Sequence, residues 1–445
     1  MSSAVFSAHV ESLTMLKVHP LRKSRHTTVV CHWFCQCFSN HFSRLLVSVI
    51  LVSSLNLSAD EPTPGRLLFT SQGKTALIQS NGTGLRVFNF DIPNQATWQP
   101  GPLFSDGHRI VFLSMEPRRD GPGKPFDVYY TQTPTHTWVH DLQTGTLEEL
   151  CTKDRIAPFE TPALLISDQR ILMQVVKDRV GRIVSMNLDG TDSRDFTKPG
   201  DGLPYGLSLS HDGKRVAYHL ASPQGYQIWT SDLDGENRQL IKAAPGHLFF
   251  GTSWSPDDQW ILYVDCIPAS DPGHDWAEVC VGKADGTEHR QLTEGMAMWF
   301  AATYGPPEAR GSGSNLPAWT PAGKILFPHR LPDTKVPWQY RVGQPDLDHF
   351  NRDYKPESAS GGVGISSIDP VTGEITHLIP PQESVWNFRI SASSDGKLIA
   401  FCRAETGTVA SLWIANADGS DPNKISDGLN DKGLDHPRWL PLSQP

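Results

Sequence analysis

The sequence predicts an all-β fold, a seven-bladed propeller of four-stranded antiparallel blades, with six blades as the alternative count. Three observations predict it. First, Leu207 to Leu240 reads as one complete unit: Leu207 and Leu209 alternate with small residues, His211-Asp212-Gly213 turns the chain, and Arg215 to Leu220 is β-rich. Ser222-Pro223-Gln224-Gly225 then breaks the pattern, Gln227 to Leu233 forms a third strand, and Asp234-Gly235 turns into a fourth. Second, the first turn recurs at Ser105-Asp106-Gly107, Ser167-Asp168-Gln169, Pro256-Asp257-Asp258, Pro321-Ala322-Gly323 and Ser394-Asp395-Gly396. The second turn recurs at Gly82, Gly145, Gly190, Gly235, Gly286, Gly373 and Gly419. Third, the second turn occurs once more often than the first, which is explained if one blade is split between the two ends of the chain. A four-stranded sheet of this size cannot bury both faces alone, so such units must stack on one another.

Taken in order, residues 1–59 stand outside the repeats. Arg44 precedes an apolar run of about 13 residues from Leu45 to Leu57, and Ser58-Ala59 follows, the pattern of a secretory signal cleaved near Ala59. The run is short for a membrane span, and the remaining chain shows no transmembrane segment. Cys31, Cys35 and Cys37 lie ahead of the signal and are given no function; Met15 is a second candidate start. The segment holds Lys17, Arg22, Lys23, Arg25 and Arg44 against Glu11. Its removal leaves 39 − 5 = 34 basic and 48 − 1 = 47 acidic residues, a net charge of −13 that argues against nucleic acid as a partner. A signal of this kind predicts a periplasmic or secreted protein.

The propeller is expected over residues 62–443. Its split blade would take outer strands from Leu67 to Thr70, Thr75 to Gln79 and Leu85 to Phe90, and its innermost strand from Pro437 to Leu442. There Trp439-Leu440-Pro441 repeats the Trp-x-Pro of Trp254-Ser255-Pro256 and Trp319-Thr320-Pro321. A ring closed in this way leaves no open sheet edge at the seam. Three loops between second and third strands are long: Glu116 to Pro134, Ile267 to Ala277 and Pro328 to Gly362. They share one face with the connections between blades, and long loops in compact domains are commonly functional. Export permits a disulfide between Cys266 and Cys280, which lie on neighbouring strands of one blade; the alternative is two small packed residues. Cys151 and Cys402 fall in different blades.

The strand, turn and strand pattern of Trp254-Ser255-Pro256-Asp257, His211-Asp212-Gly213-Lys214, Asp232-Leu233-Asp234-Gly235 and Gln291-Leu292-Thr293 resembles the WD40-like repeats of the TolB propeller family. The resemblance covers nearly all of the chain beyond residue 62. It implies the fold and, as function, a binding or scaffolding module for a protein or other ligand. More distantly the chain resembles the oligogalacturonate lyases, which implies a carbohydrate-active enzyme acting on acidic sugars and a histidine-rich divalent-metal site. His436-Pro437 is similar to that family's His-Pro signature, but Arg438 stands where its companion histidine belongs, and this disfavours a metal.

Aligned on their turns, the innermost strands carry Pro100, Pro162, Gly206, Gly251, Leu316, Arg389 and His436 five residues before the turn. Three residues before it stand Pro102, Leu164, Ser208, Ser253, Ala318, Ser391 and Arg438. Small or apolar residues are the rule near the axis, and Arg389, His436 and Arg438 break it. Two arginines and an imidazole predict an anionic ligand, a carboxylate or sulfate, with His436, Arg389 and Arg438 as catalytic candidates if the protein is a lyase. The alternative is pairing with local acids such as Asp435. His247, His274, Trp338, His349 and Arg352 are the other candidate ligand contacts, the tryptophan by stacking on a sugar ring. Asp346-x-Asp348-x-x-Asn351 lacks the glycine and glutamate of a calcium loop, and neither a His-Glu-x-x-His nor a Gly-x-Ser-x-Gly motif occurs.

Overall fold

Turn chemistry sets the strands. In the first turn of a unit, Ser210 Oγ accepts the backbone N–H of Arg215 at 2.9 Å, while Asp212 Oδ1 accepts that of Lys214 at 3.0 Å. The same serine-aspartate pair recurs as Ser255 with Asp257 and Ser393 with Asp395. Each carboxylate satisfies a backbone donor that the tight turn leaves without a strand partner. The computed structural model describes residues 65–95, 97–115, 135–151, 155–156, 164–177, 180–222, 225–266, 276–298, 315–340 and 352–441. The expected leader lies outside the described residues.

The result is an all-β propeller with four-stranded blades. The Thr97–Leu103, Arg109–Met115, Thr135–Asp141 and Leu147–Leu150 strands pair in chain order, as do Leu203–Leu209, Arg215–Ser222, Gly225–Asp232 and Gln239–Ala243. A third sheet orders Leu164–Ser167, Arg170–Lys177, Val180–Asn187 and Arg194–Asp195, with Arg155–Ile156 added beside Arg170–Lys177. The sequence expectation of separate blades fails in the next part of the chain, where hydrogen bonding joins strands from Leu248–Trp254 to Asn423–Ser426 into one 13-stranded sheet. The causes are local. Ala297–Met298 pairs with both Trp276–Lys283 and Ile325–Arg330, and a parallel bridge joins Val363 to Trp386.

The split blade forms at the seam. Arg66–Ser71, the first described strand, pairs with Lys74–Gln79 on one side and with Asp435–Trp439 on the other, and Leu67 faces Trp439. The first strands of successive units lie against one another around the ring, from Thr97–Leu103 through Leu164–Ser167, Leu203–Leu209, Leu248–Trp254, Ala318–Trp319 and Val385–Ala392 to Asp435–Trp439. Tryptophans fasten this succession. Trp254 Nε1 donates to Ser208 O at 3.0 Å, Trp319 Nε1 to Ser253 O at 3.3 Å, and Trp439 Nε1 to Ser391 O at 3.2 Å, each reaching back one unit.

The core is a series of slabs between neighbouring sheets. Because side chains alternate along a strand, Leu262 joins Val281, Ile325 and Phe327 in one slab while Ile261 and Tyr263 join Ala217, Ile228 and Phe249 in another. Among the described residues no helix is long and apolar enough to cross a membrane.

Candidate functional site

The inner strands share a backbone feature that the sequence alignment locates without explaining. Their pairing register shifts between Tyr205 and Ser208, Phe250 and Ser253, and Phe388 and Ser391. These are β-bulges. The residue at the bulge takes a left-handed conformation: φ is 67° at Gly206, 71° at Gly251, 55° at Arg389, and 53° at His436 in the closing strand. Glycine adopts it freely, whereas arginine and histidine are strained there by about 1–3 kcal/mol.

Arg389 is held from both ends. Its backbone N–H donates to Asn315 Oδ1 at 2.9 Å, and its Nε donates to Asp435 Oδ1 at 3.0 Å, with both partners of this ion pair about nine-tenths buried. Asp435 also accepts the His436 backbone N–H at 2.8 Å, so one carboxylate bridges the two strained residues. The His436 imidazole Nδ1 stands 3.5 Å from Asp435 Oδ2. Its side chain is 44% exposed, yet burial against the rim and then the Arg389 charge push its pKa down to about 4. The ring is therefore neutral at pH 7, and with that much water around it the shift carries little stability.

Arg438, two residues on, donates through Nη2 to Gly101 O across the seam. Burial lowers its pKa to about 10, so it remains charged at neutral pH. No carboxylate among the described residues forms an ion pair with Arg438. Beside this cluster Asn315 Nδ2 and Asp435 Oδ2 are buried, with no hydrogen-bond partner among the described residues. Cation, neutral imidazole and unsatisfied polar atoms in one place suit an anionic group bearing both donors and acceptors.

Of the other sequence candidates, His247 and Trp338 are not drawn into this cluster. His247 donates through Nδ1 to Asp265 Oδ1 across 2.7 Å and stacks on Phe249. It sits at the head of the Leu248–Trp254 strand, separated from His436 by two intervening inner strands. His274 and His349, with Asp346, Asp348 and Asn351, lie outside the described residues. Arg352 opens the short Arg352–Tyr354 strand, which pairs with Trp338–Tyr340. Trp338 corrects the expectation of a sugar-stacking residue: it is 2% exposed, rests against Tyr354 at 4.9 Å, and belongs to the core with Val336 and Trp386. The described ends of its loop fold back as a ribbon, and this buries the ring.

The expected disulfide is also corrected. Cys266 and Cys280 are free, buried thiols, and Cys280 faces Tyr263, three residues before Cys266. Three residues along a strand span about 10 Å, beyond the Cα separation a disulfide bridges. Burial first, then Asp265, raises both thiols, which leaves them protonated and unreactive. Among the described residues no three His, Cys, Asp or Glu side chains gather to hold a metal. The donor set at the rim, one carboxylate and one imidazole between two guanidiniums, does not fit a divalent cation.

Comparison with known proteins supports the fold. No family model matches the chain. It is 40% identical over 50 residues to the Tol-Pal system protein TolB of Albidiferax ferrireducens; the match spans 11% of this chain and 12% of that protein. Among solved structures it is similar to an oligogalacturonate lyase in complex with manganese, with a TM-score of 0.50, 15% identity, and coverage of 82% of this chain and 86% of that one. It is also similar to a puromycin-hydrolyzing peptidase of Mycobacterium tuberculosis, with a TM-score of 0.51 and 12% identity over 81% of this chain and 50% of that one. At these identities the likeness is one of fold.

Proposed function

We propose that the chain is an exported, TolB-like binding module of seven blades over residues 62–443, which grips a carboxylate on a protein partner at the Arg389, His436 and Arg438 rim. The seven-blade reading rests on the succession of inner strands, and export, to the periplasm or beyond, on the leader pattern at residues 1–59. The observation that carries the function is Arg438: a half-buried guanidinium whose described partner is one carbonyl, Gly101 O. A half-buried guanidinium with no counter-ion among the described residues keeps donors for an incoming carboxylate, which it can hold with a two-pronged hydrogen bond.

A second reading has its own support, the neutral imidazole between two arginines. In a uronate lyase the arginines neutralise the sugar carboxylate, the adjacent proton becomes more acidic, and His436 removes it. One titration separates the readings. An acidic peptide with a free carboxylate and a short oligogalacturonide are each offered to the protein, with ultraviolet detection of unsaturated product. The binding reading expects peptide affinity that falls at least about tenfold in Arg438→Gln, without product. Product that disappears in His436→Ala supports the lyase instead, and affinity unchanged in Arg438→Gln overturns the rim as the site.

A further inference from the structure

A second cluster lies away from the rim and was invisible in the sequence. His329 is next to last in the Ile325–Arg330 strand, Ser366 lies in Val363–Ile368, and His377 lies in Ile375–Ile379. The register pairs Ser366 with His377 and sets His329 opposite Gly364, so alternation places all three side chains on one face of the sheet. There His329 Nδ1 and His377 Nδ1 stand 3.2 Å apart, and Ser366 Oγ is 3.1 Å from the first and 2.9 Å from the second.

Hydrogen bonding satisfies the triangle when His329 Nδ1–H donates to Ser366 Oγ and the hydroxyl donates to His377 Nδ1, the third side setting that N–H beside a lone pair. A triangle of this size is, however, one face of a tetrahedron whose centre lies about 2 Å from each corner, the length of a Zn–N bond at roughly 2.0–2.1 Å. We propose that His329, His377 and Ser366 form a three-point site for a divalent transition metal, zinc fitting best, with the fourth position open to water.

Each member has a part. The two imidazoles are the ligands that matter to zinc, copper or nickel, and the hydroxyl is a weaker third donor. His377 is exposed, which gives the ion a way in, whereas Ser366 is fully buried and so is unsuited to act as a nucleophile. Phe327, stacked at 5.9 Å on His329, holds that ring in place. The site is independent of the anion-binding rim, and neither reading needs the other.

The test uses the full chain with zinc alone, followed by calorimetry, and with copper(II) alone, followed by electron paramagnetic resonance. The expected result has two parts. His377→Ala and His329→Ala each weaken one equivalent of zinc by more than the roughly 10–100-fold that loss of a mere supporting partner costs. The copper spectrum of the wild type carries coupling to two nitrogens at this site, reduced to one in either variant. Cysteines in residues 1–59 can take up zinc too, so the variants are read as a difference in stoichiometry against wild type. His377 is exposed, and its replacement should leave the urea midpoint of the metal-free protein unchanged, separating ligand loss from unfolding. The proposal is overturned if His377→Ala keeps the wild-type stoichiometry and copper spectrum, or if the wild type takes up no ion that the variants lack.

Discussion

Gly206 and Gly251 on one side of the ring, and Arg389 and His436 on the other, occupy the same bulge with the same left-handed backbone and solve it in opposite ways. At the glycines the absent side chain is filled from next door. A Cβ on Gly206 would come within 2.2 Å of His219 Nδ1, and one on Gly251 within 2.5 Å of the Leu316 side chain. At Arg389 and His436 the residue brings its own side chain, accepts the backbone strain, and is tied down by Asp435. Strain retained where a glycine would fit is a mark of use. The glycine side is built for packing, and the charged side fits the ligand role proposed for it.

The comparison can be broken at its strongest point. Asp435→Ala breaks the buried ion pair with Arg389 and should cost about 3–5 kcal/mol in a urea titration, whereas removing both charges together should cost much less. Acid tests the other side. His219 is 1% exposed, and burial holds it at about 4 against 6.5, so the unfolded chain binds the proton first. Its contribution is complete above pH 6.5 and is lost as pH falls toward 4, by roughly 3 kcal/mol. In His219→Phe the slope of stability with pH over that window should flatten. Gly206→Ala, pushed into His219 at positive φ, should lose about 2–3 kcal/mol in the same titration. His436→Gly should stay within about 1 kcal/mol of wild type, because relief of strain offsets added chain entropy. A loss there as large as that of Gly206→Ala would erase the distinction between the two sides.

What could be read beforehand follows from where the information sits. Turns such as His211-Asp212-Gly213 are written in contiguous residues, so the strands between them were legible. The closing strand betrayed itself through Trp439, which repeats the role of Trp254. Arg389, His436 and Arg438 stood out because they broke a column of small residues, although the positive φ behind that column could not be seen. Register was not legible. It separates Cys266 from Cys280 and brings His329 to His377 across 48 positions in the chain. Nor was the fate of Trp338, whose place in the core depends on how the flanks of a long loop pair.

The pairing of Arg66–Ser71 with Asp435–Trp439 also sets a timetable. The first described strand is made long before its partner, so during synthesis it must wait with one edge bare and apolar residues Leu67, Leu68 and Phe69 uncovered. Such an edge invites pairing with the wrong neighbour. The Asp435–Trp439 strand is therefore the latch of the seam, and it carries the residues proposed to hold a ligand.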